Sequence, residues 1–118
     1  MAEFPKIQRA IPKKRYQLGE FGVTVLGEIE SPDIRTYQYI MAFVPEGKDQ
    51  PVLYVCSERT PPKDRHDGTH QLRVINQAMS EVMDIGDQWR DLAVFCSEGL
   101  KIGNQMLGLA DEQAVPLM

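Results

Sequence analysis

The sequence predicts an α+β domain: a three-stranded antiparallel meander, or a four-stranded one, followed by two amphipathic helices packed on one face. Three observations point there. Apolar residues alternate with polar ones through much of residues 16–57, the period of a strand. The links between these runs are short turn material, Ser31-Pro32-Asp33 and Pro45-Glu46-Gly47-Lys48-Asp49-Gln50, and short links favour antiparallel neighbours. From Leu72 onward the apolar spacing changes to three and four, the period of a helix.

The elements follow in order. Residues 1–12 read as an extended basic arm, because Pro5 and Pro12 discourage a helix and Lys6 and Arg9 begin a run of cations completed by Lys13, Lys14 and Arg15. Residues 13–110 form the single domain and 111–118 a C-terminal tail. The first strand signal runs from Tyr16 to Ile29, with Gly19, Gly22 and Gly27 marking a bend or bulge. The second is Arg35 to Val44 and the third Val52 to Ser57, both rich in β-branched and aromatic residues.

The polar segment Thr60 to Asp67 closes the strand region. A first helix is then expected on Leu72, Ile75, Ala78, Met79, Val82 and Met83, capped by Thr69 and ended by Gly86. Gln71 to Ile75 is also readable as a short fourth strand. A second helix is expected after an Asp87 cap, with its stripe running from Trp89 to Leu107. Gly99 and Gly103 fall on that stripe, which implies close packing against a neighbour or a kink.

If both hairpin loops hold an even number of residues, the strands sort into two faces. One collects Phe21, Val23, Val25, Ile29, Ile40, Ala42, Val44, Leu53 and Val55, the natural seat for the helices. The other collects Tyr37, Tyr39, Met41, Phe43 and Tyr54, an aromatic set where a solvated face should be polar. These five are the candidate interface. The arm, a helix or a second chain are the available covers, and a homodimer through this face is the expectation.

Composition narrows the function classes. The 118 residues carry 13 Lys+Arg and 17 Asp+Glu, net −4, which argues against a dedicated nucleic-acid binder. The longest apolar run is too short to span a membrane, and two cysteines make no disulfide framework, so a cytoplasmic protein is expected. An acidic protein surface is a further partner for the arm. Glycine-rich phosphate loops, G-x-S-x-G, H-E-x-x-H and C-x-x-C are all absent.

The candidate reactive residues are Asp64, His66, Asp67 and His70, together with Cys56. Two imidazoles and two carboxylates within seven residues suit acid–base work or a divalent metal. Lys63, Arg65 and Gly68 interrupt the set, so no metal and no cofactor is expected. Cys56 lies beside Glu58, which opposes thiolate formation, and Arg59, which favours it. Two function classes follow: a non-enzymatic binding or assembly module working as a homo-oligomer, or a small enzyme with its site in the His66/Asp67/His70 loop, completed at a subunit boundary.

Overall fold

The computed structural model describes residues 3–109 and 112–117. Seven strands form one antiparallel sheet: β1 (Arg9–Leu18), β2 (Phe21–Glu30), β3 (Tyr37–Pro45), β4 (Leu53–Arg59), β5 (His70–Asn76), β6 (Ser80–Ile85) and β7 (Val115–Pro116). Their spatial order is β6-β5-β4-β3-β2-β1-β7. The first six strands are therefore a continuous meander, and the chain end returns to pair Val115 and Pro116 with Gln17 and Tyr16. Among the described residues there is one α-helix, α1 (Leu92–Met106), and it packs on one face.

This corrects the expected architecture of a three- or four-stranded meander with two helices. The segment Tyr16 to Ile29 is not one bent strand. Gly19 has φ 56°, the positive value taken at the first central position of a two-residue hairpin turn, and the chain reverses there. Arg9 to Pro12, inside the arm segment, thereby begin β1. Pro12 is tolerated because β1 lies near the sheet margin and its pairing with β7 involves residues 15–17, beyond Pro12. The boundary drawn between residues 110 and 111 falls outside the described residues.

The first expected helix is instead the β5–β6 hairpin. Asn76 Oδ1 accepts hydrogen bonds from the backbone N–H of Ala78 and Met79, both at 2.8 Å, and this Asx turn reverses the chain. Leu72 and Val74 then point to the helix-covered core while Arg73 and Ile75 belong to the opposite face. Thr69 caps no helix; its N–H donates to Asp87 Oδ1. The second expected helix exists but starts later. Asp87–Arg90 is a 3-10 turn, and Asp91 caps α1 by accepting from Val94 N–H at 3.0 Å.

The face assignment also changes, because β3 is turned over. Val25 pairs with Met41, Val23 with Phe43, and Phe43 with Leu53, so Met41 and Phe43 share the helix face with Val23, Val25, Leu53 and Val55. Ile40 and Ala42 lie on the other face. An irregularity between Tyr37 and Tyr39 switches parity again, which puts Tyr37 with Ile40 and leaves Tyr39 stacked on Phe95 at 5.5 Å. The five aromatic-face residues thus divide between two cores. Gly99 and Gly103 permit close approach, though to side chains: α1 settles onto Met41 and Phe43 at these positions.

The second face has its own core of Tyr37, Ile40, Ala42, Tyr54, Cys56 and Ile75. Part of its cover is the arm. The Phe4 ring lies 5.1 Å from the Tyr54 ring, Lys6 N–H donates to Asp33 Oδ2 at 3.1 Å, and Gln8 N–H donates to Glu30 O at 2.9 Å.

Candidate functional site

The second face ends in a polar cavity. Strand β4 alternates Tyr54, Cys56 and Glu58 onto this face, and the pairing of β5 brings Arg73 opposite Cys56 and Gln71 opposite Glu58. An apolar strand has therefore carried a carboxylate into the interior. Glu58 is completely buried. Its Oε1 accepts from Gln71 Nε2 at 2.7 Å and from Arg73 Nε at 2.8 Å. Arg73 Nη1 is held in turn by Ser80 Oγ at 3.1 Å. The other oxygen, Glu58 Oε2, is buried and finds no hydrogen-bond partner among the described residues, and the same holds for Thr60 Oγ1 two residues on. Such groups cost roughly 1–3 kcal/mol each when nothing pairs with them.

Both residues line a cavity of about 480 Å³ formed where β3 begins, β4 ends and the 3-10 turn Pro62–Asp67 follows. Its other polar walls are Arg35, Arg59, Arg65, Gln71 and Arg73, so four guanidiniums meet one carboxylate. Arg65 Nη2 donates to Thr60 O at 3.0 Å, which ties the turn to the end of β4. Burial works against the Arg35 charge, but hydrogen bonding with Tyr37 and the nearby Glu58 carboxylate outweigh it and raise its pKa. Tyr37 donates to Asp33 Oδ2 at 2.7 Å, linking this wall to the arm that Asp33 also holds.

The expected reactive residues are not brought together. His66 is exposed, with Nε2 3.4 Å from Oδ2 of its neighbour Asp67, on the 3-10 turn that also carries Asp64. His70 is buried at the start of β5, with Nδ1 2.9 Å from Thr69 Oγ1 and Nε2 3.2 Å from Gln38 Oε1. Among the described residues no group of three His, Cys, Asp or Glu is arranged to hold a metal ion. Cys56 is completely buried on the second face, and burial, then the Glu58 charge, push its thiol pKa far up. Burial and that shift both oppose formation of the thiolate.

The helix-covered face has a larger depression, about 590 Å³, bordered by Lys14, Tyr16, Cys96 and Ser97. Burial and the Cys96 thiol push the Tyr16 pKa up to about 12. Among the described residues, none of those bordering this depression carries a buried side-chain polar atom without a partner.

Burial, followed by the charges of Arg59 and Arg90, lowers the His70 pKa. The unfolded chain then binds a proton that the fold refuses. Stability from this group is complete above pH 6.5 and declines as pH falls below 6.5. Urea unfolding on either side of that value is expected to show the decline in the native chain and a smaller one in His70→Gln.

Sequence reasoning considered Glu58 only as a neighbour of Cys56 and passed over Thr60, Arg35 and Arg73. One signal was present: Tyr54, Cys56 and Glu58 are two apart, so a strand that buries the first two also buries the third. No protein-family model matches the chain, nor does any curated protein or solved structure.

Proposed function

We propose that the protein is a non-enzymatic binding module whose binding site is the cavity around Glu58 and Thr60. The observation that carries this reading is the pair of buried polar atoms without partners, Glu58 Oε2 and Thr60 Oγ1, on residues of one cavity wall. Buried polar groups are almost always paired within a fold, and a ligand is the partner that such a cavity admits. The cavity volume falls in the range of small-molecule sites. A thermal-shift screen of small organic acids, amines and sugars tests it. Stabilisation by at least one compound, reduced in Glu58→Gln, supports the reading; a screen that is blank for the native chain overturns it.

Self-association is the second reading, favoured by apolar side chains that the arm and the start of β1 leave exposed. Phe4 and Ile7 of the arm remain 36% exposed and Ile11 48%. Docking of a second copy on Tyr54 requires the arm to leave. Light scattering is expected to show a tighter dimer once residues 3–8 are deleted. A chain that stays monomeric with and without them removes this reading. The reading also places the protein in the cytoplasm, in keeping with its two free cysteines, Cys56 and Cys96. No helix among the described residues is long and apolar enough to cross a membrane.

A further inference from the structure

We infer that the cavity takes a small oxyanion that also carries a hydroxyl group, with the hydroxyl donating to Glu58 Oε2 and the oxyanion held by the guanidiniums that line the cavity and are not paired with Glu58. The inference rests on the binding reading above and names the ligand class for that site.

Charge decides the first half. Arg35, Arg59, Arg65 and Arg73 line the cavity with Glu58 as the only carboxylate among the lining residues, although the whole chain is acidic. Arg73 is already committed to Glu58 at 2.8 Å. Arg65 spends one donor on Thr60 O. A guanidinium has five N–H donors, so the walls retain donors suited to carboxylate or phosphate oxygens.

The orphaned oxygen decides the second half. An ionised carboxylate oxygen only accepts hydrogen bonds, so Glu58 Oε2 demands a donor and repels a bare oxyanion. An ammonium would donate, but it would enter beside three guanidiniums not paired with Glu58. A neutral hydroxyl donates without that repulsion. The Thr60 hydroxyl, itself without a partner, can donate to or accept from the same group.

The test uses matched ligands that differ in one group. Calorimetric titration of the full chain at neutral pH compares propyl phosphate, 2-hydroxyethyl phosphate and phosphoethanolamine, and in parallel propionate, lactate and alanine. The hydroxylated member of at least one series is expected to bind about tenfold or more tighter than its plain counterpart, as a hydrogen bond to a charged group allows. The series that binds more tightly identifies phosphate or carboxylate as the anion. Glu58→Gln is expected to abolish the hydroxyl preference, and Arg35→Gln to weaken every anion. The ranking in the native chain stands as a test even if a variant fails to fold. Tightest binding by phosphoethanolamine or alanine, or equal binding by plain and hydroxylated members, overturns the inference. If none of the six binds while the wider screen finds another ligand, this ligand class is wrong and the binding reading stands; a blank in both removes both.

Discussion

Replacing Arg73 with alanine is expected to destabilise the chain by about 3–5 kcal/mol, the usual cost of stranding one member of a buried ion pair. The size follows from burial. The Glu58 side chain is 1% exposed and that of Arg73 16% exposed, so the stranded carboxylate would stay largely desolvated. Gln71 Nε2 would be the one remaining donor on Glu58 Oε1, and Oε2 is already unpaired. Replacing both members, with Glu58→Met and Arg73→Met together, is expected to recover most of the loss, since an apolar pair of similar volume carries no desolvation cost. Urea unfolding of the two single variants and the double variant measures this. A double variant no better than Arg73→Ala would show that the pair is not the source of the cost.

The second large effect lies on the other face. Phe43 is completely buried beneath α1, and Phe43→Ala is expected to cost about 3–5 kcal/mol through lost burial and the cavity left behind. The two helix glycines opposite this strand are expected to behave differently from each other. A Cβ at Gly103 would collide with the Phe43 ring, lying 2.6 Å from its Cζ. The ring is rigid and enclosed, so Gly103→Ala is expected to destabilise by about 1–3 kcal/mol. A Cβ at Gly99 would meet Met41 Cε at 2.7 Å and Sδ at 2.8 Å, the flexible end of an unbranched side chain. That end can move aside, and alanine gains roughly 1 kcal/mol of helix propensity over glycine. Gly99→Ala is therefore expected to be near neutral. Equal losses at the two positions would contradict the packing described for α1.

The sequence marks where chain segments alternate, but parity across a hairpin depends on loop length and bulges that composition does not reveal. Val23 and Val25 were correctly placed with Leu53 and Val55, because errors at the two successive hairpins cancel across β3. Between them Met41 and Phe43 were assigned to the wrong face. The helix expected at Leu72 to Met83 fails for a related reason. Leu72, Ile75, Met79 and Val82 satisfy a helical period, while Leu72 and Val74 satisfy a strand period, and both fit the same letters. The Asn76 turn settles the competition in favour of the hairpin.

The cavity was less legible than the sheet. Its polar walls come from Arg35, from Glu58 to Arg65, and from Gln71 and Arg73, three segments that only the β3–β4–β5 pairing makes adjacent. The histidine loop, by contrast, is conspicuous in sequence and dispersed in space. Proximity along the chain brought two imidazoles within four residues, but His70 is buried as β5 begins and His66 remains outside on the turn.

On the binding function proposed above, the fold leaves polar atoms at the Glu58 cavity for a ligand rather than for itself. The most direct measurement is the unfolding free energy of Thr60→Val in the unliganded chain. Valine keeps the branched shape of threonine and removes only the hydroxyl. With Thr60 Oγ1 buried and without a partner, the variant is predicted to be as stable as the native chain or more stable. A loss of more than about 1 kcal/mol, the typical net worth of a hydrogen bond formed within the fold, would contradict the account.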